Sequence, residues 1–394
     1  MTAFAAVAAF ALVQQDLVAF WVAGRVRGLG LDPYINHAVA GTVPPALWDG
    51  GVFHHSRFLY PPLAAELFRP LALLPYRAAK VVFTVAVVGA WLAASLLLAR
   101  GRRAATPILV AGALWFPLWL NLERGQIDLL LLPLIVLAWR VRDRALVAGA
   151  LLTLAAVFKP ALLGVVPVLA ALGRWRWAGA VAAACAAAIL ATVALSGRAL
   201  AREYAVSVLP RAVLYGEGGT EEMAYHERDL ERFDIDELGD RQAADGRSYL
   251  YTLPPFDRPV SASLPRLLAP ESPSWATSVL PYLIGAAGLM WGARRARRRA
   301  DGDDAALVLL GAALVACVVT SPTGWAMGLV WALPIAPLAW APPPTGPPTR
   351  ARWLLRGAWI ACAVPPLFGG WAAIAGGTLA IAAAHAALAR EPTA

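Results

Sequence analysis

A series of apolar runs recurs along almost the whole length of this chain. A helix needs about 20 mainly apolar residues to cross the hydrocarbon core of a bilayer. The runs that reach or approach this length are residues 2–15, 78–99, 104–120, 127–139, 145–158, 160–172, 178–196, 276–292, 305–320, 325–340, 353–368 and 371–389. This pattern predicts an all-α polytopic membrane protein with about 12 (roughly 10–13) transmembrane helices.

The overall composition favours a membrane protein over a soluble one. Hydrophobic residues make up 59% of the chain and charged residues only 15%, whereas a soluble domain carries about 25% charged residues. A soluble chain of this composition would expose large apolar patches and aggregate. The net charge of +9 does not indicate nucleic-acid binding, because the surplus arginines lie in short loops. We therefore expect membrane lipids, and no nucleic acid, as partners.

The distribution of arginine predicts the orientation in the cell membrane. Half of the 34 basic residues lie in one set of loops, and the opposite short loops near residues 321 and 369 carry none. The set is Arg100, Arg102, Arg103, Arg140, Arg142, Arg144, Arg174, Arg176, Arg294, Arg295, Arg297, Arg298, Arg299, Arg350, Arg352, Arg356 and Arg390. The positive-inside rule makes these loops and both termini cytoplasmic. Segments 16–79 and 197–274 are then extracytoplasmic, with an interfacial helix expected between Pro61 and Pro75.

Two charged residues at the ends of apolar runs are candidates for chemistry, because such groups are costly near a membrane. Asp16 follows the first run at its predicted outer end, where partial burial can turn a carboxylate into a general base. An ordinary solvated acid at a helix end is the alternative. Lys159 precedes Pro160 between two short runs, which predicts a helix break and an ammonium suited to a lipid phosphate. Snorkelling of this side chain to the interface is the alternative.

A polar turn, residues 121–128, joins two apolar runs on the predicted outer side. Gln126 and Asp128 begin the second helix, where backbone N–H groups and the helix dipole favour an anion or a hydroxyl-rich ligand. Arg124 precedes them as a further polar group. An ordinary capped hairpin, in which Arg124 pairs with Glu123, is the alternative interpretation.

The first outer segment adds aromatic and polar residues that can form a platform for a sugar. Asp32 and Tyr34 come first, and His55 and Tyr60 follow. Tyrosine also occurs in ordinary interfacial belts, and the histidines can be plain surface residues. The adjacent pair His54 and His55 lacks the spacing of metal ligands, and no Cys/His cluster has it either. We therefore expect no metal and no cofactor.

Taken together, these residues resemble glycosyltransferase family 87, the polyprenyl-phosphate-mannose-dependent alpha-mannosyltransferases of the GT-C superfamily. The resemblance is strongest in residues 14–177. It rests on Asp16 to Tyr34, Phe58 to Pro75, Gly125-Gln126 before a leucine run, Ala148 through Lys159 to Arg176, and weaker counterparts at 260–266 and 321–325. It implies a GT-C-like helical bundle that forms a single domain over residues 1–394.

The resemblance also implies a reaction. A sugar, most simply mannose, would be transferred with inversion from a polyprenyl-phosphate donor to a hydroxyl of a lipid or glycan acceptor, on the extracytoplasmic side. Asp16 would deprotonate the acceptor hydroxyl. Lys159 and Arg124 would stabilise the leaving phosphate. Gln126 and Tyr60 would position the substrate.

Two alternatives to this enzyme remain open. Family members often carry an acid or a histidine after the Ser-Pro-x-x-Trp segment, whereas this chain has Ala326, Met327 and Gly328, and Gly324 stands where serine is common. These departures favour a catalytically inactive relative. A polytopic transporter or lipid-glycan flippase is the other alternative, although the sequence shows none of the internal symmetry that is common in transporters.

Overall fold

The computed structural model of the chain is helical throughout the part that it describes. It describes residues 2–10, 14–34, 58–99, 105–213, 262–268, 274–297, 303–321, 324, 326–340, 349–363 and 370–388. No strand occurs within these ranges, so the all-α fold class is confirmed for them.

The helices fall into two groups along the chain. The first group is α1 (Thr2–Phe10), α2 (Gln15–Gly28), α3 (Pro62–Ala72), α4 (Tyr76–Ala99), α5 (Ala105–Ala113), α6 (Phe116–Arg124), α7 (Asp128–Arg140), α8 (Ala145–Phe158), a 3₁₀-helix (Pro160–Gly164), α9 (Val165–Ala171), α10 (Trp175–Ser196), α11 (Arg198–Glu203), a π-helical turn (Tyr204–Val208) and α12 (Leu209–Val213). The second group is α13 (Leu264–Leu268), α14 (Trp275–Arg297), α15 (Asp303–Val319), a second 3₁₀-helix (Ala326–Ile335), α16 (Ala336–Trp340), α17 (Thr349–Ala363) and α18 (Gly370–Leu388).

Three helical stretches of the described part are long and apolar enough to cross a membrane. They are Tyr76–Ala99, Trp175–Ser196 and Trp275–Arg294. Five shorter apolar stretches accompany them: Ala145–Phe158, Pro160–Ala171, Leu307–Val319, Ala326–Ile335 and Ala372–Ala383. These apolar helices support a membrane protein. The count of about 12 crossings is not confirmed and stays a prediction, as do the positions of the termini.

The N-terminal region differs from the predicted single span over residues 2–15. The first helix ends at Phe10 and α2 begins at Gln15. Gln14 precedes α2 with a φ of 57°, in the left-handed region. Asp16 therefore lies in the first turn of a second helix and not at the far end of the first. The helix expected between Pro61 and Pro75 is present as α3, which packs against α2.

The predicted run 104–120 is divided between two helices. α5 ends at Ala113 and α6 begins at Phe116, followed by Pro117, which lacks a backbone donor and suits a first helical turn. Trp115, between them, stacks on Trp359 of α17 with ring centroids 3.9 Å apart, and its Nε1 donates to the Trp359 carbonyl at 3.3 Å. Packing between distant helices thus fixes a break that periodicity does not reveal.

The helices around the polar turn pack into one core. α7 lies against α4 and α8, and α8 lies against α10. The second 3₁₀-helix packs against α15, α6 and α7. The turn between α6 and α7 is therefore enclosed by elements from both groups of helices.

Candidate functional site

Asp16 is held by two side chains of the turn between α6 and α7. Gln126 Nε2 donates to Asp16 Oδ2 at 2.9 Å. Arg124 Nε donates to the same oxygen at 3.3 Å, and its Nη2 donates to Oδ1 at 3.4 Å. Asp16 is 5% exposed and Gln126 is 4% exposed. The structure thus brings together three of the residues that the sequence singled out, and Arg124 pairs with Asp16 instead of Glu123.

Backbone geometry explains why the turn lies so close to α2. Gly125 ends α6 in the left-handed region, with a φ of 67°. A Cβ added there would lie 2.7 Å from the Gln14 Cβ and 2.8 Å from the Leu17 Cβ. Gln14 stabilises the contact between the turn and α2, because its Nε2 donates to the Leu122 carbonyl at 2.9 Å. The close approach places Asp16 beside Arg124 and Gln126.

Lys159 lies at the break that its neighbouring proline predicts. It ends α8 with φ −136° and ψ 85°, and the 3₁₀-helix begins at Pro160. Its Nζ lies 3.7 Å from Asp128 Oδ2, an ion-pair distance, and 5.4 Å from the ring centroid of Tyr60. Asp128 is only 1% exposed and is the first residue of α7. Asp128 follows Gln126, which binds Asp16, by two residues, so both candidate groups lie beside the turn between α6 and α7.

An aromatic cluster connects α2, which carries Asp16, with the end of α8, which precedes Lys159. Phe20 lies four residues after Asp16, on the same face of α2. Its ring lies 4.4 Å from that of Tyr60, 4.7 Å from that of Phe68 and 6.3 Å from that of Phe158. Phe158 directly precedes Lys159. Packing around Phe20 therefore joins α2, which carries Asp16, to Tyr60 and to the end of α8.

Tyr34 and Asp32 lie next to this cluster and form a second group of contacts. Tyr34 donates its hydroxyl to the Tyr60 carbonyl at 2.8 Å, and its backbone N–H donates to Asp32 Oδ1 at 2.8 Å. The Tyr34 ring stacks on Tyr204 at 6.3 Å and 21°. Burial raises the pKa of Glu203, and the charge of Asp32 and a hydrogen bond with it raise that pKa further. Tyr204 and Glu203 were not anticipated, because they lie far along the sequence.

His55 falls outside the described residues. The other predicted site residues lie within them, and the structure adds Asp128 as the partner of Lys159. In the sequence, Asp128 was notable only as a polar residue at the start of a helix. Within the described part of the chain, no three His, Cys, Asp or Glu side chains converge as metal ligands.

Glu123 and Asn121 are two further buried polar residues, and both belong to the polar turn 121–128 that the sequence indicated. Both are completely buried at the end of α6. Neither carboxylate oxygen of Glu123 and neither amide atom of Asn121 has a hydrogen-bond partner among the described residues. Burial raises the pKa of Glu123 to about 8, while Arg124 lowers it and Asp16 raises it by smaller amounts. Buried polar groups normally have a hydrogen-bond partner, so these two side chains set this end of α6 apart from the apolar core around it.

The segment that departs from the pattern expected from the resemblance belongs to a helix that packs against α6 and α7. Ala326, Met327 and Gly328 are buried at the start of the second 3₁₀-helix. Trp331 of the same helix donates its Nε1 to the Asp128 carbonyl at 3.2 Å. A Cβ on Gly324 would collide with the carbonyl oxygen of Val318. The glycine in place of the common serine therefore has a steric reason.

Comparison with known proteins gives one match. The model of glycosyltransferase family 87 matches residues 58–225, rather less than half of the chain. This stretch includes Tyr60, Arg124, Gln126 and Lys159 but not Asp16. No curated protein and no solved structure matches the chain. The family match supports a transferase of the glycosyltransferase class, and with the apolar helices it supports a membrane location.

Proposed function

We propose that this chain is an integral-membrane glycosyltransferase with its active site on the extracytoplasmic side. It transfers a sugar, most simply mannose, from a polyprenyl-phosphate donor to a hydroxyl of a lipid or glycan acceptor, with inversion. One observation carries the proposal: the buried Asp16 carboxylate and the Lys159 ammonium both contact the polar turn between α6 and α7, Asp16 at Arg124 and Gln126 and Lys159 at Asp128.

Asp16 is the base in this scheme. Its carboxylate accepts the proton of the acceptor hydroxyl while the hydroxyl oxygen forms a bond to the anomeric carbon of the donor sugar. The bond between that carbon and the phosphate oxygen breaks, and its electron pair leaves with the phosphate. Gln126 and Arg124 hold the carboxylate in one orientation, which a general base requires in order to meet the hydroxyl.

Lys159 and Arg124 supply positive charge where the phosphate gains negative charge. In the structure Lys159 faces Asp128 at 3.7 Å, beyond the length of a normal hydrogen bond. A donor phosphate bound here would make charge-assisted hydrogen bonds, each worth about 1.5–3 kcal/mol. These contacts strengthen as the leaving group becomes more negative, so they favour the transition state over the bound donor.

The proposal is tested by incubating the purified chain with radiolabelled polyprenyl-phosphate mannose, glucose and arabinose and a membrane lipid extract. We expect label from one of these donors, foremost mannose, to enter a new product of opposite anomeric configuration. Nucleotide sugars, supplied as a control donor, are expected to give no product. Transfer from a nucleotide sugar alone would contradict the proposed donor class.

A transporter or flippase is the competing function, and the helix break at Lys159 favours it, since transporters often bind substrates at discontinuous helices. The two functions differ in what happens to the donor. In liposomes that contain the chain, a flippase would move the labelled donor lipid across the bilayer unchanged. The proposed enzyme instead consumes the donor and releases its polyprenyl phosphate.

A further inference from the structure

Three amide side chains lie buried around the polar turn between α6 and α7. Gln14 and Asn121 are completely buried, and Gln126 is 4% exposed. The amide carbon of Gln14 lies 3.3 Å from a Cβ built on Gly125. Asn121 precedes Gly125 by four residues, a spacing that brings two residues to the same face of a helix. The backbone N–H of Gln126 donates to the Asn121 carbonyl at 2.9 Å. The three amides therefore border the contact between the turn and the start of α2.

Each of these amides has hydrogen-bonding capacity that no described residue uses. Gln14 donates from Nε2 to the Leu122 carbonyl at 2.9 Å, and Gln126 donates from Nε2 to Asp16 at 2.9 Å. The Oε1 atoms of Gln14 and Gln126 have no partner within the described part of the chain. Neither Oδ1 nor Nδ2 of Asn121 has one there. A buried amide without its partners lowers the free energy of unfolding, so this arrangement is costly for the fold alone.

The backbone of Gln14 is strained as well. Among the described non-glycine residues, only Gln14 has a positive φ, of 57°. Such residues persist where the surrounding structure holds them, and they cluster at sites that bind ligands. The Gln14 carbonyl accepts from the Tyr76 hydroxyl at 3.4 Å and from the Val18 backbone N–H at 3.1 Å. These contacts fix the Gln14 amide beside the turn.

The unused atoms specify the chemistry of a ligand. A hydroxyl group both donates and accepts, so it can accept from Asn121 Nδ2 and donate to the Oε1 of Gln14 or Gln126. The oxygens of an ionised phosphate only accept, so they would leave the Oε1 atoms without a partner. A metal cation contacts only the oxygens and would leave Nδ2 without one. The three neutral amides therefore match a ligand that is rich in hydroxyl groups.

We propose that Gln14, Asn121 and Gln126 bind hydroxyl groups of the sugar that the donor lipid carries. This inference rests on the proposed function, in which Asp16 is the base. The anomeric carbon must approach the hydroxyl that Asp16 deprotonates, so the transferred ring lies beside Asp16 whatever the acceptor is. Gln126 binds that carboxylate at 2.9 Å, and the amides are therefore adjacent to the ring. Gln14 and Asn121 are then specificity-determining residues in addition to Gln126.

The test measures the affinity of the purified full chain for polyprenyl-phosphate mannose and for sugar-free polyprenyl phosphate. Asn121→Leu replaces the amide with an apolar side chain of similar size. We expect it to lower affinity for the mannose lipid at least tenfold and to leave affinity for the sugar-free lipid unchanged. Its unfolding temperature without lipid should equal or exceed that of the unaltered chain, because the substitution removes a buried polar group that has no partner. A purely structural asparagine would instead lose stability and both affinities together.

A set of donor analogues tests the same contacts without any substitution. Each analogue of the mannose lipid lacks one hydroxyl of the sugar. A site that binds a hydroxyl group rejects the analogue without it, so we expect the unaltered chain to bind at least one analogue tenfold or more weakly. Asn121→Leu should lose this discrimination.

Ser95→Ala is the matched control for Asn121→Leu. The Ser95 hydroxyl is also buried without a partner within the described residues. It lies in α4, eleven residues after Thr84, whose hydroxyl accepts from Gln14 Nε2 at 3.2 Å, and this spacing amounts to about 16 Å along the helix. We expect Ser95→Ala to bind both lipids and all the analogues as the unaltered chain does.

Three results would overturn the inference. They are equal affinity of the unaltered chain for the mannose lipid and the sugar-free lipid, equal binding of all the analogues, and undiminished affinity of Asn121→Leu for the mannose lipid. These measurements need no transfer of sugar. A chain that binds the lipids as expected but transfers no label would contradict the proposed function and support the inference, whereas transfer without discrimination among the analogues would contradict the inference alone.

Discussion

Lys159 and Asp128 form a buried ion pair, so the loss of one member affects the other. Asp128 is 1% exposed, and Lys159→Gln would leave its carboxylate uncompensated, at a cost of about 3–5 kcal/mol. We expect this variant to unfold at a lower temperature and to lose donor use. Asp128→Asn/Lys159→Gln removes both charges, so we expect its stability to recover in large part while donor use stays low. Thermal unfolding and the donor KM and kcat measure the two effects separately.

An exposed ion pair provides the control for this experiment. Arg174 Nη1 lies 3.3 Å from Asp143 Oδ1, and the Asp143 side chain is 82% exposed. An exposed pair contributes only about 0–1 kcal/mol, so Arg174→Gln should leave both stability and transfer near their original values. Wild-type stability and donor KM in Lys159→Gln would contradict the assigned role of the lysine.

The same residues show which features of the candidate site could be predicted from the sequence. Asp16, Arg124 and Lys159 could be selected because charges beside apolar runs are costly and seldom accidental. The pairing of Lys159 with Asp128 could not be predicted, because it depends on how α8 ends against the start of α7. The pairing of Arg124 with Asp16 could not be predicted either, since Glu123 is adjacent in sequence whereas Asp16 is adjacent only in space.

At the scale of elements, the close contact between Gly125 and α2 determines the position of Asp16. Gly125→Ala would place a Cβ 2.7 Å from that of Gln14 and add strain at a positive φ. Such overpacking costs about 1–3 kcal/mol. We expect the variant to lose most transfer activity, because α2 must move away from the turn. Activity and thermal unfolding would be measured together.

Gly30→Ala is the matched control for this effect. Gly30 also has a positive φ, of 75°, but no atom lies within 4 Å of a Cβ built there. The difference between the two variants therefore isolates the contact with α2 from backbone strain. Equal losses of activity in both would show that the approach of the turn to α2 is unimportant.

Glu66 links three helices and predicts a dependence of stability on pH. It accepts from Arg27 of α2 at 2.9 Å, from Arg69 of α3 at 3.0 Å and from Ser196 of α10 at 3.1 Å. Burial raises the pKa of Glu66, but these partners outweigh burial and hold that pKa below its ordinary value. A lowered folded-state pKa means that the stabilisation is present above the ordinary pKa and is lost as pH falls through the lowered one.

The corresponding variant is Glu66→Gln, which cannot lose a proton. We expect the variant to be less stable at neutral pH and to show a smaller further loss of stability in the acid range. Unfolding temperatures between about pH 7 and pH 3 measure both effects. Asp143→Asn, at an exposed carboxylate, controls for general acid effects. An unchanged acid profile in Glu66→Gln would contradict the proposed link.

Helix boundaries could be predicted where a nearby residue, such as a proline, ends the helix. They could not be predicted where packing between distant helices decides the boundary. The run 145–158 coincides with α8, because Pro160 and the polar Lys159 end it locally. The run 325–340 instead begins as a 3₁₀-helix over Ala326–Ile335, which contains Pro334 and packs against α6, α7 and α15. The apolar pattern indicates burial in both regions, but it does not distinguish an α-helix from a 3₁₀-helix.

For the whole molecule, the arginine distribution predicts that Asp32 and Asp143 face opposite sides of the membrane. In a background without Cys185, Cys317 and Cys362, we expect Asp32→Cys to react with an impermeant thiol reagent on intact cells. Asp143→Cys should react only after permeabilisation. The side chain of Asp143 is 82% exposed, so protection there reports the membrane and not burial. The reverse pattern of labelling would contradict the predicted orientation.

Membrane class was predictable from the composition of the chain, whereas the number of crossings stays a prediction. The assignment to the membrane class depends on the composition of the entire chain, and an error in the bounds of one helix does not change it. The number depends on each break, such as those near Leu114 and Lys159, and on whether a short helix crosses the bilayer or ends within it. Arginine placement constrains the orientation of such helices but not their length.

The proposed reaction depends above all on Asp16 as the base for transfer of a sugar from a lipid phosphate. The most direct measurement compares Asp16→Asn with the unaltered chain and with Asp143→Asn, using the donor established for the unaltered chain. A general base contributes about 100- to 10,000-fold, so we predict that Asp16→Asn lowers kcat by this factor while donor KM changes little. Equal kcat in Asp16→Asn and the unaltered chain would contradict the account.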